Sequence, residues 1–324
     1  MSLPPSVFEA ENRYARAKRM LTRTCWSISL LQGPTLQSLE PSRDCRHPVL
    51  DASHVHDAPA GFVADPFLLR HDGRLNLFFE VHNCARSKGE IAVATSADGR
   101  QWQYQQVVLS EAHHLSYPFV FENDGEIYLM PESHETGEVA LYTAQAFPYR
   151  WRRTVTLIKG APFVDPTLVS HEGLHYLFAG EAFRGVLNLY WAEAIRGPWH
   201  RHPCSPVVAC DARHARPAGR FVNDGAGIIR LAQSTEPVYG AYVSGFRITA
   251  LTPESYSEEP LEPYPLLSGS GSGWNAYAMH HIDAMRQEDG GWLAVADGLD
   301  LRRRWPRSRS PSNHTRSMHP ARPA

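Results

Sequence analysis

Alternating apolar and polar positions run through this chain in short stretches, each closed by turn residues, and the stretches recur. "FLLRHDGRLNLFF" (67–79), "FVFENDGEIYLM" (119–130) and "TLVSHEGLHYLF" (167–178) each read as strand, tight turn, strand. The Asp-Gly and Glu-Gly steps supply the positive φ angles that hairpin turns require. A third strand follows each hairpin, "GEIAVATS", "GEVALYTA" and "VLNLYWAE", and then a tryptophan, Trp102, Trp151 or Trp199, expected to pack between neighbouring units. An X-Pro step precedes each hairpin, at Asp65, Tyr117 and Asp165, with intervals of 52 and 48 residues. Two weaker copies follow, "GRFVNDGAGIIRLAQS" (219–234) and "HHIDAMRQEDGGWLAVADG" (280–298).

A period near fifty residues, built of strands with no long amphipathic helix, predicts an all-β fold, a five-bladed β-propeller over residues 25–300. The last copy has room for only part of a blade. "CWSISLL" (25–31) is expected to supply the missing strand and close the ring, since an open blade edge would leave backbone groups unpaired. Residues 1–24 read as a short N-terminal arm. Residues 301–324, rich in Arg, Ser and Pro, read as a disordered tail.

Composition narrows the function classes. The 324 residues carry 32 basic and 34 acidic side chains, so no overall field draws the chain to nucleic acid. Only Lys18, Lys88 and Lys159 are lysines, so nearly all the positive charge is arginine. The five cysteines are odd in number and contain no CxxC pair, which speaks against a disulfide framework or a structural zinc site. With no secretory signal and no apolar run of membrane-spanning length, a cytoplasmic protein without a transmembrane segment is the expectation. No GxGxxG, Walker or GxSxG motif is present, and no cofactor is expected.

The candidate chemistry lies where the copies differ. In a propeller the innermost strand of each blade starts near the axis, so matching repeat positions share one opening. Those positions are Asp65, Tyr117, Asp165, a residue of "RPAGR" (216–220) and Asp283. The following proline is expected to hold its predecessor extended. Glu80, Glu132 and Glu181 end the second strands and are placed toward the same opening. Carboxylates facing each other across a polar funnel can divide into acid and base, as inverting glycosidic cleavage requires at a separation of about 6.5–9.5 Å. Tyr117, Tyr277 and Trp274 are candidates to stack on sugar faces, and His113, His114, His280 and His281 to donate hydrogen bonds. The bland alternative is that an Asp at a strand start only caps a turn or binds a neighbouring N–H. "AMHHIDA" (278–284) offers metal-ligand types, but adjacent strand residues face opposite ways, so no metal is expected and one histidine, taken as His281, lines the funnel.

These residues resemble a known family. "FVADPFLL", "LFFEVHN", "GEIAVATSADGRQWQY" and "VLSEAHHLSYPFVFENDGEIYLMPES" are similar to the N-terminal domain of plant glucosamine inositolphosphorylceramide transferases and its stand-alone bacterial relatives. "VDPTLV", "ARPAGR", Tyr239–Gly240 and "MHHID…WLAVADG" continue the likeness in order, over about residues 25–300. In the plant enzymes this domain precedes a separate glycosyltransferase domain. The resemblance therefore implies a sugar or glycoconjugate ligand and a glycosyltransferase partner, and does not carry over the transfer reaction itself.

More distantly the pattern is similar to five-bladed glycoside hydrolases acting on arabinans, xylans and fructans. They place an Asp in blade one, an Asp in blade three and a Glu early in blade four. Asp65 and Asp165 match the first two, and Arg216 and Arg220 stand where the acid is expected. Three readings stay open: a carbohydrate-active propeller in glycan assembly, with Asp65 and Asp165 on a sugar and Arg220 on an anionic group; an inverting hydrolase with Asp65 as base; and a non-catalytic glycan- or protein-docking platform.

Overall fold

The three strong copies become three four-stranded antiparallel sheets. Blade 1 runs Ala60–His71, Arg74–Asn83, Lys88–Ser96, Gln103–Leu109; blade 2 runs Ser116–Asn123, Glu126–Glu132, Glu138–Ala146, Arg150–Lys159; blade 3 runs Phe163–His171, Leu174–Glu181, Val186–Ala192, His200–Arg201. Blade 4 is less regular. Its inner edge is split into Arg216–Pro217 and Val222–Asn223, which pair with Ile228–Gln233 before Tyr242–Leu251 and Tyr256–Pro260. The computed structural model describes residues 22–182 and 184–303, and Thr24–Leu301 form one compact unit.

Blade 5 joins the two ends of the chain. Its sheet runs Ile282–Arg286, Trp292–Arg303, Thr22–Gly33, Glu40–Pro41, so the N-terminal strand supplies the third strand and closes the five-bladed ring as the repeat count requires. The expected arm and tail lie outside the described residues, apart from the strand ends at 22–24 and 301–303. Among the described residues no helix is long and apolar enough to cross a membrane.

The core lies between successive blades, where alternate side chains of facing sheets meet. One apolar cluster joins blade 1 to blades 2 and 3 through Phe67, Phe78, Phe119 and Phe163; another joins blades 5 and 1 through Val295, Leu293, Leu75 and Phe79. Trp151 of blade 2 meets Phe78 of blade 1 edge-on at 5.6 Å, the inter-blade role expected of the repeated tryptophans.

One local expectation is overturned. Asp65, Tyr117 and Asp165 are not extended: their φ angles are 53°, 45° and 50°, in the left-handed region. Strand register breaks at the same three points, between Ala64 and Phe67, Ser116 and Phe119, and Val164 and Thr167. Each X-Pro step is thus a β-bulge, and the extra residue overrides the usual effect of proline on its neighbour. A non-glycine residue held there costs on the order of 1–3 kcal/mol, so something must hold it.

Candidate functional site

The bulges turn three backbone N–H groups out of their ladders, and an acid from the preceding blade receives each one. Asp65 N–H donates to Asp297 Oδ2 (3.0 Å), Tyr117 N–H to Asp65 Oδ2 (3.2 Å), and Asp165 N–H to Glu132 Oε2 (3.2 Å). Blades 5 to 1, 1 to 2 and 2 to 3 are clasped in this way around the axis. Further on, Gly219 N–H of blade 4 donates to the Tyr117 hydroxyl (2.8 Å), which also bonds Thr167 Oγ1 (2.7 Å). Gly219 has φ 132°, and a Cβ there would lie 1.8 Å from Ile282 O, so only glycine lets blades 4 and 5 approach so closely.

The acids come from two repeat positions. Seven residues past the hairpin glycines Gly73, Gly125 and Gly290 stand Glu80, Glu132 and Asp297. In blade 3 that place, seven past Gly173, is Gly180, which pairs with Val164 as Glu80 pairs with Ala64. Glu181 is one residue on and pairs with Phe163, so it points to the other face, where it accepts from Asn188 Nδ2 (2.9 Å). The expected trio Glu80, Glu132 and Glu181 is therefore a pair, joined by Asp297, which the sequence reading passed over although its spacing from Gly290 marks it.

Two further placements differ from expectation. Asp283 pairs with Val295, five residues past its hairpin glycine, as Phe67 pairs with Phe78 and Phe119 with Met130. It therefore sits farther along its strand than Asp65, Tyr117 and Asp165. There it accepts from Leu68 N–H (2.7 Å) and Arg220 Nε (3.1 Å). Arg220 Nη2 donates to Leu68 O and Val120 O, and its guanidinium lies 5.0 Å from the Phe119 ring centre. Leu68 and Val120 are three residues into the inner strands beyond Asp65 and Tyr117, roughly 10 Å along the strand. The Arg220–Asp283 pair thus lies farther along the inner strands than the acids at the bulges, with the Arg220 side chain 26% exposed.

The guanidinium among those acids is that of Arg216. Its Nε donates to Asp165 Oδ2 (2.6 Å), and Nη2 lies 3.5 Å from Glu132 Oε2. Gln233 Nε2 adds a donor to Asp165 Oδ2 (3.1 Å). On the far side His280, rather than His281, meets the acids. Its Nδ1 is 2.8 Å from Asp297 Oδ1 and its Nε2 is 3.3 Å from Asp65 Oδ1. His281 is fully buried, with Nε2 3.0 Å from Pro66 O and the Phe67 and Tyr117 rings packed edge-on against it. Tyr117 is likewise sealed and offers no face to a ligand.

The protonation pattern follows from crowding. Asp65, Glu80, Glu132, Asp165 and Asp297 are all buried, with Arg216 and His280 as the cations among them. Burial opposes ionisation of Asp65, but the hydrogen bond and charge of His280, the nearby His281 and the Tyr117 N–H hold it down at about 2. Burial likewise disfavours charge on His280, yet Asp297 and Asp65 on its two nitrogens push it up to about 10. Burial pushes Asp165 up to about 8; Arg216 opposes this, and the charges of Glu132 and Asp65 reinforce it. Burial and the neighbouring Asp65, Glu132 and Asp297 drive Glu80 well above the usual carboxylic range. Glu132 stays below that range, its burial outweighed by His134 and Arg216. Crowding thus divides the acids, pushing Asp65 and Glu132 toward the charged form and Glu80 and Asp165 toward the neutral one. Glu80 Oε1 is buried without a hydrogen-bond partner among the described residues; the nearest ring nitrogen, His114 Nε2, is 3.7 Å away.

One atom each of Asp65, His280 and Asp297 lie within 4.8 Å of one another, a spacing that metal ligands also show. Both ring nitrogens of His280 face carboxylates, however, and the ring holds its proton to about pH 10. A ligand imidazole is neutral, so an ion held by this trio would have to displace that proton.

Residues 26–299 match the family described as "Glucosamine inositolphosphorylceramide transferase 1, N-terminal". The chain is 39% identical over 250 residues to glucosamine inositolphosphorylceramide transferase 1 of Oryza sativa subsp. japonica, covering 74% of this chain and 33% of that protein. It is 33% identical over 298 residues to the Arabidopsis thaliana protein of the same name, covering 84% and 39% respectively. This chain thus spans little more than a third of the length of the curated relatives it matches. Among solved structures, a putative glycoside hydrolase from Bacteroides ovatus aligns with TM-score 0.58 at 10% identity, over 83% of this chain and 96% of that one, a likeness of fold.

Proposed function

Because this chain belongs to the family of glucosamine inositolphosphorylceramide transferase 1 N-terminal domains, we propose that it binds a sugar or glycolipid headgroup during glycan assembly and presents it to a glycosyltransferase. The family and the propeller support a carbohydrate-related role; the binding itself is read from the site. One observation carries it: acids from blades 1, 2, 3 and 5 and an arginine from blade 4 converge on one cluster, with neutral and ionised carboxyls side by side. Sugar hydroxyls both donate and accept, and such a mixture offers both partners at fixed positions. The excess of acid over base favours a neutral or amino-bearing sugar over an anionic one. Arg216 is already committed to Asp165 and Glu132, which supports a positioning role rather than capture of phosphate.

A hydrolase is the second reading, favoured by the separation of Asp165, protonated to about 8, from Asp65, ionised from about 2. Against it, a carboxylate that holds a proton only below about pH 2 is a weak general base, and both Asp65 oxygens already have partners. Saturation-transfer NMR against a panel of methyl glycosides tests the binding reading, with Asp165→Asn and Arg216→Gln each expected to weaken binding about tenfold or more. A protein that binds none of the panel refutes it. Reducing sugar released from a polysaccharide, and lost in Asp65→Asn, would establish hydrolysis instead.

A further inference from the structure

Above the acids stands an aromatic residue that the sequence reading did not select for the site. Tyr239 lies on the loop that joins Ile228–Gln233 to Tyr242–Leu251 in blade 4. It is 48% exposed, among few large apolar side chains open to solvent in the described residues. Its ring centre is 5.3 Å from the Arg216 guanidinium carbon and 5.3 Å from the His280 ring, both in contact with the acidic cluster. One face of the ring is thus held against Arg216 by a cation–π contact, while half the residue remains open to a ligand.

The loop is built to hold this ring in place. Ser234 Oγ donates to Glu236 O (2.7 Å), Thr235 Oγ1 donates to Ala212 O (2.9 Å), and Ser234 N–H and Ala241 N–H close the loop on Tyr242 O and Ser234 O. The next residue, Gly240, has φ 71°, and a Cβ there would come within 2.8 Å of His280 Cβ and 3.0 Å of Trp26. Glycine at this position lets the loop descend onto His280, and Tyr239 is carried with it. The His280 ring is in turn backed by Trp26 at 4.3 Å.

We propose that Tyr239 is the stacking platform of the site, and that its ligand is a pyranose whose C–H face lies on the Tyr239 ring while its hydroxyls reach Arg216, Asp165 and Glu132. This rests on the sugar-binding reading above and makes it specific: the ligand needs a rigid ring, since an open-chain polyol has the hydroxyls but no continuous C–H face. Arg216 links the two halves of the site, touching the acids with its nitrogens and the aromatic with its plane. Sugar specificity is then set jointly by blade 4 and by the acids of blades 2 and 3.

The test uses the whole chain, with methyl gluco-, galacto-, manno- and 2-amino-2-deoxyglucopyranosides and the open-chain alditol glucitol as probes, read by saturation-transfer NMR. Wild type is expected to bind at least one pyranoside and to bind glucitol at least about tenfold more weakly. Tyr239→Phe keeps affinity within about twofold and Tyr239→Ala loses about tenfold, with unchanged circular dichroism and thermal midpoint. In a Tyr239→Trp variant the new fluorophore is expected to respond to the pyranoside and not to glucitol. If Asp165→Asn abolishes binding while Tyr239→Ala leaves it intact, or if glucitol binds as well as the pyranosides, the platform is refuted and the sugar-binding reading survives. If wild type binds no pyranoside, both are overturned.

Discussion

Replacing Asp65 by asparagine tests the charge pattern of the site with almost no change of shape. In the native chain the Asp65 carboxylate accepts from Tyr117 N–H at 3.2 Å and faces His280 Nε2 at 3.3 Å. An asparagine oxygen can still receive the Tyr117 N–H, but its NH2 group then meets the N–H of a charged His280, donor against donor. The histidine must give up that proton and keep the one facing Asp297. Loss of a buried, charge-assisted contact that does not leave a bare charge behind costs about 2–4 kcal/mol. The pH dependence sharpens the test. His280 holds its proton to about 10 when folded against 6.5 in its ordinary state, so its stabilisation is complete below 6.5 and disappears as pH rises toward 10. Asp65 does the reverse: its stabilisation is complete above 3.8 and disappears as pH falls toward 2. Urea unfolding followed by tryptophan fluorescence at pH 6.5, 8 and 9.5 should show wild type losing stability across the series. Asp65→Asn should start lower and fall less steeply. An unchanged urea midpoint at pH 6.5, or an equally steep decline in the variant, would show that His280 is not held as a cation by Asp65.

Two further substitutions follow from the same geometry. Glu80→Gln should raise stability above wild type at pH 7, because folding must put a proton on a Glu80 that is ionised in the unfolded chain whereas Gln needs none, and the gain should vanish as pH falls below the ordinary 4.5; a loss above about 3 kcal/mol in thermal unfolding at pH 7 would mean that Glu80 is ionised in the folded protein. Gly219→Ala forces a methyl group onto Ile282 O and should cost more than about 3 kcal/mol or abolish folding; a variant of wild-type stability would disprove the close approach of blades 4 and 5.

Much of this protein is legible in one dimension. The period near fifty residues, the hairpin glycines Gly73, Gly125 and Gly173, and the surplus strand at 25–31 are local features, set by turn chemistry and alternation, and they determine the blades and the closure of the ring. They also bring Asp65 and Asp165 to equivalent places, since equal steps along a repeat become equal steps around an axis. Asp297 could have been found by counting from Gly290 as Glu80 and Glu132 count from Gly73 and Gly125.

Other decisions belonged to the tertiary structure. Glu181 differs from Glu132 by one residue of register, and because strand side chains alternate, that single step turns it to the other face. Arg216 and Arg220 share one short motif, but contacts with Asp165 in one case and with Leu68, Val120 and Asp283 in the other decide which meets the acids at the bulges and which lies farther along the inner strands. Whether an acid is charged depends on neighbours far away in sequence, as the effect of His280 on Asp65 shows. Local sequence sets the conformations the chain can adopt; the electrostatics of the site arise only when the closed ring brings distant blades within a few ångströms of one another.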